Sequence, residues 1–418
     1  MNRRHLALPA AAASLFALGL SSAALAETSP YYIGASQTLT HESNLLRLSK
    51  TQAAPAGFSK SDTVSSTALL AGFDQPISRQ RVFGNVTLRA NRLSHNSVYD
   101  NEGHALSAGI DWATVANLSG RVSASANRNL ARFNAEELGL VTKKNVEDTR
   151  QFEAVARLGV VTRYTLEASA SHRSVSYSAA EYASREFRQD SGSLGLQYRP
   201  SSATRYGAAL RLSHGQYPQF RPLFGGGFEA DRYDRRDIDF TASVAPSAVS
   251  SFEGRLSLGK TDYEIANQRD FSGVTGAFAW NWRPTGKVRF NTRLSRDIGQ
   301  DSYFIDRGFF DGTIDYSRVT TALRARADYD WSAKVSFNAV LGLAHRSLVR
   351  TLPTGLGVPT SASGTDRGTT LTLGARWTPT RTTVIGCDAS SDERRGNSTL
   401  SANLSASSLG CYGQITLQ

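Results

Sequence analysis

The stretch Val288–Arg296 reads VRFNTRLSR. Val288, Phe290, Thr292 and Leu294 fall on one face of an extended chain; Arg289, Asn291, Arg293 and Ser295 fall on the other. Successive strand side chains point to opposite faces, so this segment is a strand separating an apolar environment from a wet one. The same period of two recurs along the chain. Tyr206, Ala208, Leu210 and Leu212 oppose Gly207, Ala209, Arg211 and Ser213. Phe252, Gly254, Leu256 and Leu258 oppose Glu253, Arg255, Ser257 and Gly259. Leu323, Ala325, Ala327, Tyr329 and Trp331 oppose Arg324, Arg326, Asp328 and Asp330, and Leu371, Leu373, Ala375 and Trp377 oppose Thr370, Thr372, Gly374 and Arg376.

A soluble sandwich also alternates, so two further features decide between architectures. The first is the rhythm of the connections. Short ones lie near Gln75–Pro76, Asn117–Leu118, Val161–Thr162, Pro200–Ser201, Pro246–Ser247, Pro284–Thr285, Ser332–Ala333 and Pro379–Thr380. Long ones lie at 42–61, 96–103, 135–147, 177–186, 215–232, 263–269, 298–314, 349–365 and 394–404. Short periplasmic turns against long extracellular loops are the pattern of an outer-membrane barrel, here with about 18 strands and both termini on the periplasmic side. The pattern also admits about 16, if 31–40 or 62–73 is not a membrane strand.

The second feature is the polarised placement of rings. All five tryptophans, Trp112, Trp280, Trp282, Trp331 and Trp377, fall just before a short turn. The indole has an apolar body and an N–H that wants a partner, which suits a membrane interface. These residues are the expected periplasmic girdle. His41, His95, His104, His172, His214 and His345 fall beside long loops instead, as a rim at the opposite end.

The first residues agree. Arg3 and Arg4 precede an apolar run, Leu6 to Leu20, and Ala24-Leu25-Ala26 is a small-residue cleavage site. This is the layout of a secretory leader. The expected organisation is therefore a signal peptide, residues 1–26, and one all-β domain, residues 27–418. That domain is a transmembrane up-and-down antiparallel β-barrel in the bacterial outer membrane. Nothing after Ala26 approaches the roughly 20 apolar residues of a membrane helix. The formal charge of +11 would raise the question of nucleic acid, but the charges are scattered and the chain is exported.

Catalytic motifs are missing. No H-E-x-x-H, P-loop, G-x-S-x-G or C-x-x-C occurs, so no enzyme, metal or cofactor is expected. The rim histidines leave open a lipid- or glycan-modifying activity on the lipid face, and His95 and His104 leave open a metal pair across one hairpin.

The alternation turns Arg89, Arg157, Arg211, Arg255, Arg289, Arg293, Arg324, Arg326, Arg346 and Arg376 toward the lumen. It also turns Asp111, Glu153, Glu167, Asp237, Asp239, Glu253, Asp328 and Asp330 that way. Such a wall is either salt-bridged structure or a polar track for a solute, and both can hold together. The excess of arginine is too small for anion selectivity. Two long loops are aromatic: Tyr217, Phe220, Phe224 and Phe228 in one, Tyr303, Phe304, Phe309 and Phe310 in the other. These rings either fold inward over the mouth or stack on sugars; Tyr217, Phe220, Phe224, Tyr303 and Phe304 are the candidate sugar contacts. Finally, Ile385, Cys387 and Ala389 share a face, as do Leu409, Cys411, Gly413, Ile415 and Leu417 on the next strand. Cross-strand neighbours lie about 4.5–5.5 Å apart, so a Cys387–Cys411 disulfide is expected after export.

Both ends of the mature chain carry a resemblance. Tyr32–Leu48, YIGASQTLTHESNLLRL, and Leu409–Gln418, LGCYGQITLQ, look like the EpsL-like outer-membrane proteins of exopolysaccharide biosynthesis operons. In that family a strand ending in similar residues opens the chain and a cysteine-bearing hairpin closes it. The resemblance implies a role in exporting or assembling a secreted polysaccharide, with that polysaccharide, its synthesis and export machinery, outer-membrane lipid and the barrel-assembly machinery as partners. It transfers no catalytic residue. The alternative is a general or oligosaccharide-selective diffusion porin. The chain departs from most barrels in ending Leu417-Gln418, without a final aromatic.

The topology makes a direct prediction. An epitope tag within 215–232 or 298–314 should be reached by antibody on intact cells; labelling only after permeabilisation would invert the orientation or place those segments inside the lumen.

Overall fold

The computed structural model describes residues 29–131, 142–159, 162–223, 226–298, 317–352, 360–398, 400–401 and 403–418. The segment expected to be a leader, residues 1–26, lies outside this range. Eighteen strands form one sheet. The first six are β1 (Tyr31–Glu42), β2 (Asp62–Ile77), β3 (Gln80–Leu93), β4 (Asn101–Ala113), β5 (Leu118–Leu130) and β6 (Val146–Leu158). Next come β7 (Tyr164–Tyr177), β8 (Phe187–Ser201), β9 (Thr204–Pro222), β10 (Phe228–Ser247), β11 (Ser250–Tyr263) and β12 (Phe271–Trp282). The last are β13 (Val288–Asp297), β14 (Ser317–Asp330), β15 (Val335–Leu352), β16 (Thr360–Trp377), β17 (Thr383–Gly396) and β18 (Leu404–Leu417). Every strand is antiparallel to its sequence neighbours, and β1 pairs with β18 from Ile33↔Leu417 to Glu42↔Ser408. The sheet is thus a closed barrel with no free edge.

The two faces of this sheet are chemically distinct. Ile33, Leu39, Leu69, Leu88, Leu194, Leu210, Ile238, Phe240, Leu294, Leu341 and Leu373 stand exposed on the outside. Exposed apolar side chains all round a closed barrel form a lipid-facing belt. The chain is an outer-membrane protein of a Gram-negative bacterium. Short connections such as Ser78-Arg79, between β2 and β3, all lie at the end that carries both termini. Trp112, Trp280, Trp282, Trp331 and Trp377 lie at that same end. There Phe252, Trp280, Trp282 and Phe290 stack in sequence, with centroids 5.3–6.1 Å apart. Trp280 donates its indole N–H to the Ser250 hydroxyl at 3.0 Å.

Two segments expected to be long loops, 215–232 and 349–365, are largely strand, and a third, 394–404, is strand at its ends. Residues 215–232 are the upper parts of β9 and β10, joined through 223–227; 349–365 and 394–404 likewise contain the ends of β15–β18. Polar residues such as Gln216, Asp231 and Arg232 read as loop, but they continue the ladder above the membrane, where water faces the outside. Strand one also ends earlier than the terminal resemblance implies: Asn44–Leu48 leaves the sheet after Glu42. Phe224 and the segment 299–316, with Tyr303, Phe304, Phe309 and Phe310, lie outside the described residues.

Cys387 and Cys411 are register partners on β17 and β18 and are disulfide-linked, 24 residues apart in sequence. The bridge fastens the hairpin next to the closing β18–β1 seam. Chain-entropy reasoning gives a cross-link of this span about 3 kcal/mol. Cys411→Ser should lower the urea midpoint of the folded, heat-modifiable band without changing the fold. Full thiol labelling of denatured but unreduced wild type would contradict the bridge.

Candidate functional site

The inward face carries the chemistry. Strand alternation brings Arg211 on β9, Asp237 and Asp239 on β10, and Arg255 and Ser257 on β11 to one patch of the inner wall. Arg211 reaches both carboxylates at 3.2 Å, Arg235 reaches Asp237 at 2.8 Å, and Arg255 approaches Asp239 at 3.8 Å. Side-chain exposure at Arg235 and Asp237 is 2% and 0%. Charges this buried persist only when paired and hydrogen-bonded; the Ser257 hydroxyl donates to Asp239 at 2.5 Å, and Arg235 donates to Thr275 at 3.3 Å.

The same pairing recurs around the lumen. Arg81 binds Asp74 at 2.5 Å, Arg121 binds Asp111 at 2.5 Å and Arg157 binds Glu167 at 2.6 Å. On the opposite wall Arg289 binds Asp330 at 2.6 Å, Arg326 binds Asp328 at 2.7 Å, and Arg346 binds Asp366 at 2.8 Å. Arg293 and Arg324 are inward register partners. Among the described residues Arg89 and Arg376 have no acidic ion-pair partner and Glu253 has no basic one, while Glu153 adds its field to that of Asp111 at Arg121. All ten arginines read as lumen-facing take inward register positions, yet several are ion-pair structure and not free contact surface. Between them the wall presents Ser, Thr, Asn and Gln, including Ser169–Ser193 at 2.6 Å and Asn281–Asn291 at 2.5 Å.

Toward the loop end the inner wall turns aromatic. Val175, Phe187, Tyr217, Tyr233, Tyr263 and Ala266 form a buried cluster, with Tyr177 and Phe220 against it. Tyr217 is therefore not a loop residue offering a free ring to a sugar. It sits on β9, 5% exposed, between Phe187 and Tyr233 at 6.0 and 6.1 Å. Arg269 from the turn Asn267–Arg269 covers it at 5.2 Å and covers Phe220 at 5.5 Å. A guanidinium on a ring face is attractive and occupies the surface a sugar would use. Gly215 makes the packing possible, since a Cβ there would strike the Tyr233 ring across the ladder.

A second inward element was not read from the sequence. Residues 43–61 leave β1 and fold against the inner wall: Leu46 and Leu48 are fully buried beside Leu93 and Tyr99, with Val64 and Phe58 packed around them. Burial pushes the Tyr99 phenol up to about 12. Asn44 organises this turn. Its amide donates to the Leu48 carbonyl at 2.8 Å and to the Ser405 carbonyl at 3.1 Å, and its oxygen accepts from the Leu48 N–H at 3.0 Å. Arg47 adopts a left-handed φ of 56°, costly for a residue with a Cβ. That conformation aims its guanidinium across β18 to an ion pair with Asp392 on the inner face of β17. Leu46 and Leu48, two apolar residues flanking a cation just after a strand, are the signal that marks this inward fold.

The two rim histidines read as a possible metal pair, His95 and His104, are not gathered into a site. His95 lies 3.5 Å from Asp62, and His104 faces outward on β4 between Leu88 and Arg128. Among the described residues no group of three His, Cys, Asp or Glu side chains is placed to hold a metal.

No protein-family model and no curated protein sequence matches this chain. Among solved structures it is similar to the outer membrane protein OpdK of Pseudomonas aeruginosa, with 12% identity and a TM-score of 0.47 over 93% of this chain and 99% of that one. It is similar to OccK3 (OpdO) of the same organism at 13% identity and a TM-score of 0.45, covering 93% and 95%. OccK5 (OpdH) follows at 9% and 0.44, covering 93% and 98%. The resemblance to EpsL-like proteins rests on the terminal segments alone.

The Arg47 tether yields a test in planar bilayers. Arg47→Ala leaves Asp392 without its partner, and Asn44→Ala removes hydrogen bonds worth about 1–3 kcal/mol to a buried turn. Both variants should raise single-channel conductance, and Arg47→Ala should also move selectivity toward cations. Unchanged traces would show that this turn does not limit the path.

Proposed function

We propose that the barrel is a diffusion channel for hydrated, hydroxyl-rich solutes of little net charge. The observation that carries this reading is the pairing of charge along the lumen. Charged rings select ions only when their field reaches the solution. Here Arg81, Arg121, Arg157, Arg211, Arg235, Arg289, Arg326 and Arg346 each meet a carboxylate of the same wall. What a passing solute meets is a series of hydroxyls, amides and guanidinium edges. Each offers exchangeable hydrogen bonds that are weak in water, so a hydrated molecule moves from one to the next. Barrels of 16–18 strands are wide enough for an aqueous path, and the inward turn 43–61 and the aromatic cluster narrow one end of it.

The resemblance of the two terminal segments favours a second reading, in which the same polar path serves a secreted polysaccharide. A long glycan also needs water throughout, because its hydroxyls cannot cross hydrocarbon unsatisfied.

Reconstituted protein should conduct with a potassium-to-chloride permeability ratio within about threefold of unity, as a charge-paired wall requires. In liposome swelling it should pass a neutral oligosaccharide faster than a carboxylated one of equal size. Strong anion or cation selectivity would refute the charge-paired reading. A deletion strain that loses surface polysaccharide while remaining viable would move the assignment to export.

A further inference from the structure

The outer wall, at the upper edge of the apolar belt, holds a groove that the lumen does not use. It runs down β7–β9, encloses about 540 Å³ and is lined by Phe152, Ala170, His172, Asp190, Gly192 and Leu212, then His214, Asp234 and Arg236. Its floor follows from the register. Ala170, Gly192 and Leu212 are successive outward partners, and one pleat higher stand Phe152, His172, Asp190, His214 and Asp234. Two small residues beside Leu212 leave a trough in a surface otherwise covered by leucine and phenylalanine. A Cβ at Gly192 would meet nothing nearer than 3.9 Å, so the trough is open space and not a packing requirement.

The upper end is built from charge. His172 holds Asp190 through Nδ1 at 2.7 Å and His214 holds Asp234 through Nδ1 at 2.9 Å, which leaves both Nε2 edges turned to the surroundings. Lys260 is taken up by Asp262 at 2.8 Å. Arg236, its register partner, has no acidic partner among the described residues, and neither does Arg188 above Asp190. Arg236 lies 11 residues above the Ser247 end of β10. At ~3.3 Å per residue and a tilt of ~40° that is roughly 28 Å of height, the upper boundary of the apolar belt. Below it Ile238 and Phe240 face lipid. A cation facing outward at this level is unfavourable in hydrocarbon and favourable beside an anion at the headgroup layer.

We propose that this groove binds one phosphorylated acyl-glycolipid of the outer leaflet. An acyl chain lies in the Ala170–Gly192 trough between Phe152 and Leu212. The phosphate meets Arg236 with the Nε2 edges of His172 and His214.

The test uses the full barrel, purified in a neutral detergent and titrated with bis-phosphorylated lipid A or with the same lipid after phosphatase treatment. Binding is read by native mass spectrometry, and folding of each variant by heat-modifiable mobility. Wild type should hold the phosphorylated lipid at least tenfold more tightly. Arg236→Glu should lose that preference, Arg236→Lys should largely keep it, and Gly192→Phe should lose binding of both lipids by filling the trough. Arg296→Glu, on β13 away from the groove, should bind like wild type. Equal affinity for the two lipids, or wild-type binding by both Arg236→Glu and Gly192→Phe, would overturn the proposal. So would a lipid-free oligomer that Gly192→Phe dissociates, since the groove would then be an interface between copies of this chain.

Discussion

Every feature of this molecule depends on the hydrogen bonds between β1 and β18. Hydrocarbon offers no water to an unpaired N–H or C=O, so a sheet that crosses it must close on itself. The run of pairs from Ile33↔Leu417 to Glu42↔Ser408 provides closure, and closure forces each strand to show one face to lipid and one to the lumen. The Cys387–Cys411 bridge lies one strand from that seam, where the last strand joins the first. The side-chain period of two is thereby converted into an inside and an outside.

Closure also changes what a charged residue means. On a soluble surface Arg211 or Arg235 would be screened by water and contribute little. On the inner wall they are crowded against Asp237 and Asp239, with exposures between 0 and 13%. The stabilising requirement is then mutual neutralisation, and the price in field strength is a lumen whose charges cancel locally. The outer wall obeys a different rule. Apolar side chains fill the belt, and charge reappears only where the headgroups begin, as at Arg236, His214 and Asp234.

The crowding of the inner wall toward one end of the barrel comes from tertiary packing of connections onto it. The turn after β1 is held by Asn44, by the burial of Leu46 and Leu48, and by the Arg47–Asp392 pair. On the other side Tyr217, Tyr233 and Tyr263 are covered by the turn that carries Arg269. Rings that would suit a sugar are spent on one another and on a guanidinium. Exposure, and not the presence of an aromatic residue, decides whether a ring can meet a ligand.

The sequence by itself determined the barrel. Period-two alternation in segments such as Val288–Arg296, the eight short turns, the five tryptophans at one end and the facing cysteines are local, repeated signals, because strand side chains alternate whatever their partners. The same alternation is what assigns Arg89, Arg157, Arg289 and the other arginines of these segments to the face opposite the apolar one. Loop boundaries were less legible, since polar strand extensions above the membrane, as in 215–232, have the composition of loops. What only the tertiary structure decided is which charges neutralise one another, which connections fold inward, and where a groove opens outward. Arg47 meets Asp392 from 345 residues away, and the trough at Gly192 exists because three strands align Ala170, Gly192 and Leu212. Such contacts are set by register and by the geometry of a closed sheet, and no local pattern of residues records them.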